Sequence, residues 1–224
     1  MEERFKKALN SGRCIICSLL REDEFDILCQ WVGNGQEEEF QKTLLDRGGF
    51  CNYHFWNLEK LCDPLGIAYL TKSLLDQFVF EADENRIDEF KNYIKKQYNL
   101  SEKNKCPVCG IVSESETKHL KNLKDFLSLE QNLELYQNSR GLCTIHFIKL
   151  FDFLEDTSLK EKIFSIQKQH MEILLRELKG FIRKQHRTLR WQRTDDEIRS
   201  YIRTLEKLVA RTGVKWVKNV EKRR

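Results

Sequence analysis

Eight residues of this chain have the types and the spacing to hold metal ions. Cys14 and Cys17 form a CxxC pair, and 33 residues later Cys51 and His54 form a CxxH pair. Cys106 and Cys109 are followed at the same interval by Cys143 and His146, each ligand-type residue having moved by 92 positions. Six of the eight cysteines and two of the five histidines fall in this pattern, so it is read as a duplicated Cys3His metal site. A CxxC turn brings two thiolates to one ion. A CxxH at a helix start places a sulfur and an imidazole on one helical face, because residues i and i+3 are neighbours there. Three sulfurs and one imidazole suit tetrahedral Zn²⁺, and four protein ligands leave no open position for substrate. Two structural zinc sites are therefore expected, with an iron–sulfur cluster as the alternative occupant of the same residues. Spacing leaves the pairing open. The CxxC of each half can meet its own CxxH or that of the other half.

The remaining candidates point elsewhere. Cys29 and Cys62 have no counterpart in the second half and are expected to be small buried hydrophobes. His170 falls on an apolar helical stripe and reads as a hydrogen-bonded core residue, whereas His119 and His186 read as surface residues. No nucleophile elbow, HExxH, Walker loop or dinucleotide fingerprint occurs, so no catalytic residue is assigned and a non-enzymatic role is expected.

The elements that must position the eight residues are helices. Two prolines and ten glycines in 224 residues leave little punctuation for a many-turned β fold. Leu70, Leu74, Phe78 and Val79, continued by Ile87, Phe90, Ile94 and Tyr98, make one apolar stripe at helical spacing. Leu159, Ile163, Ile166, Ile173, Leu174, Leu178 and Phe181 make a second, and Ile198, Tyr201, Ile202, Leu205, Leu208 and Val209 a third. All three are expected to bury their apolar sides between helices. Ser158 with Glu161 and Thr194 with Glu197 read as capping boxes. The repeat also pairs Gly49 with Gly141, Phe55 with Phe147, Leu58 with Leu150, Glu22 and Glu24 with Glu114 and Glu116, and Leu28 with Leu120. The expectation is an all-α, duplicated multi-helix bundle. One repeat spans 13–98, a second spans 105–187 and packs on the first as one unit, and a basic helical extension spans 188–224. Asn99 to Asn104 is the polar joint between the repeats.

The CxxC, charged helix and GxCxxHF order, duplicated and ending near Phe181-Ile182-Arg183-Lys184, resembles an uncharacterised prokaryotic family known only as a domain of unknown function. The resemblance runs from Arg13 to about Arg211 and rests on Cys14, Cys17, Gly49, Cys51, His54, Cys106, Cys109, Gly141, Cys143 and His146. It implies the architecture and the ligand set, and brings no activity with it.

Charge is uneven along the chain. Residues 179–224 carry a balance of +10 and the preceding 178 a balance of −6. Arg183, Lys184, Arg187, Arg190 and Arg193, with Trp191 among them, have the types to meet nucleic-acid phosphates or an acidic protein. A solvated helix docked on the acidic body is the competing expectation, since no known nucleic-acid module surrounds them. The opening MEERFKKALN has no apolar run and no stretch approaches a membrane span, so a cytoplasmic location is expected. The most economical reading is a metal-binding helical scaffold for a macromolecular partner; redox sensing through the same ligands and nucleic-acid binding are the alternatives. Replacing Cys51 or Cys143 by Ser is expected to remove about one metal ion per chain, read by elemental analysis.

Overall fold

Helix starts in this chain are set by local chemistry. The computed structural model describes residues 2–84, 87–89, 91–92, 106–185 and 188–210. Among them the elements are α1 (Glu2–Leu9), α2 (Ile15–Asn34), α3 (Glu38–Asp46), α4 (Asn52–Leu61), α5 (Pro64–Glu84), α6 (Pro107–Leu127), α7 (Glu130–Gln137), α8 (Thr144–Phe151), α9 (Thr157–Arg183), a short 3-10 turn (Arg190–Gln192) and α10 (Asp195–Val209). No strand occurs among the described residues, and the fold is all-α. Both prolines open helices, where a missing N–H costs nothing and φ is already suitable. Asp63 adds a cap to α5 by accepting the Gly66 N–H at 2.6 Å. Thr194 and Glu197 form the expected capping box on α10. For α9 the cap lies two residues before Ser158: Asp156 accepts the Ser158 N–H at 2.8 Å. A carboxylate is the better acceptor for those first N–H groups, which removes the need for the serine.

Contacts divide the chain into two compact units. Of the described residues, one takes in those up to 21 and from 116 onward, the other those from 22 to 115, so the boundaries fall inside α2 and α6. In the first unit Ile15, Ile16, Leu19, Leu20, Leu123 and Ile163 are fully buried. Helix α1, not anticipated from the sequence, adds Phe5, whose ring lies 5.3 Å from that of Phe126. Glu2 and Glu3 in its first turn and Lys6 and Lys7 in its last suit the helix dipole. In the second unit Trp31 takes the edges of Phe40 and Phe50 at 4.8 Å each, and Leu44, Leu58 and Leu70 close the core.

Three expectations about burial change. On α5, Leu70 is buried and Leu74 and Phe78 are half-buried, but Val79 is exposed, as is Ile87 beyond the helix; Phe90, Ile94 and Tyr98 lie outside the described residues, as does 99–104. On α9 the stripe is buried through Leu159, Ile163 and Ile166 and then thins, leaving Ile173 exposed. Helix α10 is turned about. Ile198, Tyr201, Ile202, Leu205 and Leu208 are exposed, while Ser200 and Lys207 on the other side are buried. Directed polar contacts account for this orientation: Arg203 meets Glu177 of α9 at 2.8 Å, and the Lys207 ammonium donates to the Arg140 carbonyl at 2.6 Å. The Lys207 carbonyl in turn accepts from the Thr144 hydroxyl at 3.0 Å.

Before each CxxH the chain turns through glycine at positive φ, +90° at Gly49 and +65° at Gly141. A side chain at 141 would be strained by that φ. Its Cβ would also lie 2.4 Å from His170 Nδ1 and 2.8 Å from Gln167 Oε1. Gly141→Ala is therefore expected to lower stability by about 2 kcal/mol or more. Gly33→Ala, in a helix with open space around the new methyl, is expected to be neutral or stabilising by up to about 1 kcal/mol. Urea unfolding of the two variants checks both.

Candidate metal centres

Each cluster is assembled at the N-terminal ends of two helices. Cys14 immediately precedes α2 and Cys17 lies in its first turn; Cys106 and Cys109 hold the same places on α6. Cys51 and Cys143 are the N-caps of α4 and α8, with nearly identical extended backbones (φ −69°, ψ 161° and φ −70°, ψ 161°). Neither sulfur caps its own helix, so both are left to face the cluster. His54 and His146 follow three residues on and are buried. Unsatisfied N–H groups and the positive ends of the helix dipoles thus converge where negative sulfur is to be held.

The eight predicted residues come together in two groups of four, and each group exchanges partners between the halves. Cys14 and Cys17 meet Cys143 and His146, all in the first unit; Cys51 and His54 meet Cys106 and Cys109, all in the second. Within each group the donor atoms lie within 4.8 Å of one another. His146 Nδ1 is 3.4 Å from the sulfurs of Cys14 and Cys17 and 3.2 Å from that of Cys143. His54 Nδ1 is 3.2, 3.3 and 3.4 Å from those of Cys51, Cys106 and Cys109. Sulfur–sulfur separations of 4.0 Å (Cys17 to Cys143) and 3.7 Å (Cys51 to Cys109) complete the picture. Each group can hold one metal ion.

The outer nitrogen of each imidazole is also fixed. His54 Nε2 is 2.9 Å from Glu24 and His146 Nε2 is 3.0 Å from Glu116, both carboxylates being buried. Glu116 additionally accepts from Lys149 at 2.7 Å. With Nε2–H donating to a carboxylate, a neutral ring would turn its Nδ1 lone pair toward the sulfurs, the arrangement that suits a metal-binding histidine. Sequence reasoning noted the two glutamates only as matching positions. Their shared offset from the histidines was the signal that could have assigned them.

Protonation follows from crowding. Hydrogen bonds from Cys106 and Cys109 hold the Cys51 thiol well below its ordinary value. Cys109 is pushed far up, by its hydrogen bonds to Cys106 and Cys51 and by their charge. Burial opposes charge on His54, but hydrogen bonds to Cys106, Cys51 and Glu24 outweigh it and push the imidazole up to about 11. In the other group Cys143 is lowered by hydrogen bonds from Cys14 and Cys17, Cys14 is raised by burial, and His146 is raised well above its usual range. On protein charges alone, each group therefore favours a thiolate, at Cys51 or Cys143, beside an imidazolium. A bound cation would reverse that preference.

Supporting contacts hold the CxxH of the first unit in place. Gln167 donates to the Leu142 carbonyl at 2.8 Å and accepts from the Leu142 N–H at 3.3 Å, fixing the residue before Cys143 from both sides. His170, as expected, is buried and lies 2.9 Å from the Gln137 carbonyl through Nε2; burial lowers its pKa. Other expectations are corrected. His119 is buried, on the inward side of α6, while His186 lies outside the described residues. Cys29 is exposed and Cys62 half-buried, and neither joins a cluster among the described residues. In the basic segment Lys184 pairs with Glu197 at 2.8 Å, and Arg193 donates to the Lys184 carbonyl and lies over the Phe181 ring at 5.0 Å. Trp191 is exposed, and Arg187 and everything from Arg211 onward lie outside the described residues.

This geometry sets which cysteines can join. After chelation and mild oxidation, disulfides between the halves are expected to link Cys14 or Cys17 only with Cys143, and Cys51 only with Cys106 or Cys109. Peptide mapping that finds Cys14 or Cys17 joined to Cys51 would contradict the arrangement.

No helix among the described residues is long and apolar enough to cross a membrane. Comparison with curated proteins and with solved structures finds no match. A family model does match, over residues 2–213, and with nearly the whole chain covered the protein belongs to the family of unknown function DUF6062.

Proposed function

We propose that this protein is a non-enzymatic helical scaffold in which two zinc ions join the two halves of a duplicated chain. The observation that carries the reading is the donor geometry. With metal–sulfur and metal–nitrogen distances of about 2.3 and 2.0–2.1 Å, a tetrahedral zinc site sets its sulfurs about 3.8 Å apart and its nitrogen about 3.6 Å from each. The sulfur pairs at 3.7 and 4.0 Å and the nitrogen–sulfur distances of 3.2–3.4 Å suit one ion at the centre of each group. Cys14, Cys17, Cys143 and His146 would hold one ion, and Cys51, His54, Cys106 and Cys109 the other. A bound zinc would neutralise the crowded thiolates and fix the helix ends to one another.

Four protein donors leave no position for a substrate, which supports a structural role over a catalytic one. The compact donor spread also ranks an iron–sulfur cluster second, because a cluster carries its ligands on different irons, farther apart than the donors of one ion. The lengths and order of α2, α3, α4 and α5 against α6, α7, α8 and α9 support an internal duplication. The partner is a macromolecule that reads the helical surface. Pairing of Lys184, Arg193 and Arg203 within the protein leaves fewer charges for nucleic acid and favours a protein partner.

Two zinc ions per chain and a colourless preparation are expected on anaerobic purification; iron with labile sulfide would replace this reading with the redox one. Acidification should release the ions, because protons compete for the same sulfurs and imidazoles. Glu24→Ala is expected to weaken one site by about 10–100-fold and leave the other unchanged, measured by competition with a chromophoric chelator. Equal affinities at both sites after that change would remove Glu24 from the account.

A further inference from the structure

Beside the first cluster lies a cavity of about 380 Å³, walled on one side by Cys14 and Cys143. Its lining is strongly biased in charge: Arg13, Arg140, Arg203 and Lys207 stand against one carboxylate, Glu206. Arg140 pairs with Asp196 at 2.8 Å and Glu177 at 3.6 Å, and Arg203 with Glu177 at 2.8 Å and Asp196 at 3.5 Å, so the charge of these two is already met. Arg13 and Lys207 add charge beyond those pairs. Lys207 is buried and directs one of its three N–H donors to the Arg140 carbonyl. The buried Nε–H of Arg203 has no acceptor among the described residues. Leaving a buried cationic donor unmet is costly, and Arg203 is among the residues that line the cavity.

We propose that this cavity binds a small oxyanion-bearing molecule, its phosphate or carboxylate oxygens accepting from Arg203 and Lys207 with Arg13 at the rim. The volume falls in the range of small-molecule sites and is too small for a polymer segment of any length. Cations there also lie near the sulfurs of Cys14 and Cys143, and a bound zinc with three thiolates would carry one net negative charge. One ammonium suffices to balance it, and Arg140 and Arg203 have their carboxylates, which leaves Arg13 and the unmet Nε–H of Arg203 to be explained. The site goes beyond the scaffold reading and does not depend on which ion the cysteines hold.

The test is isothermal titration of the full-length, metal-loaded protein with inorganic phosphate. Citrate is titrated in parallel to separate phosphate from carboxylate recognition, and chloride at matched ionic strength serves as baseline. Saturable binding of one phosphate or one citrate per chain, weakened at least tenfold in both Arg13→Gln and Lys207→Gln with metal content unchanged, is the expected result. Arg13 is exposed, so its variant decides the matter alone if Lys207→Gln fails to fold. Absence of saturable binding by both anions overturns the proposal. Undiminished affinity in Arg13→Gln does so too, including when Lys207→Gln has lost metal, because the cations would then serve only the thiolates.

Discussion

Three sulfurs and an imidazole nitrogen within 4.8 Å of one another form an arrangement that protein charges alone do not favour. Thiolates at such distances repel, and burial penalises each of them further. What offsets this in the structure is consistent in both clusters: two helix N-termini, an N-cap cysteine that does not cap, and a carboxylate fixing the far side of the ring. Each feature makes sense if a cation completes the group. Helix lengths, glycine turns and the Gln167 clamp then follow as the means of bringing four donors to one point.

Exchange between the halves changes what a metal site does for a chain. A CxxC that met its own CxxH would close a loop of 33 residues and leave the halves independent. Here Cys17 meets Cys143 and Cys51 meets Cys109, so each ion would bridge the first half of the sequence to the second. Neither half holds a complete set of donors for either site. The same exchange explains why the two compact units cut across α2 and α6 and do not follow the two halves of the sequence.

Much of this was legible in the sequence, and the parts that were not have physical causes. The helical class and the eight residues that gather in two groups followed from spacing, because CxxC and CxxH are local patterns with local geometry. Pairing is non-local, and both arrangements satisfy the same spacing, so only the three-dimensional structure selects between them. Glu24 and Glu116 carried the offset of 92 but no motif, since a hydrogen bond to the outer ring nitrogen demands an acceptor and nothing more. Helix α1 was missed because an eight-residue amphipathic segment is short for any periodic signal, and its burial comes from Phe5 against Phe126. For α10 the apolar period was real but the direction was not inferable: ion pairs and hydrogen bonds from Arg203 and Lys207 turn the polar side inward. Exposed Cys29 shows the limit of composition rules at a single residue.

The most direct test of the exchanged metal sites is the metal count of two double variants by native mass spectrometry. Cys17→Ser with Cys143→Ser strikes one site twice and should leave one ion per chain. Cys17→Ser with Cys51→Ser strikes both sites and should leave none bound tightly. The reverse order of losses would contradict the exchange, and a chain that binds no metal before any substitution would contradict the account at its root.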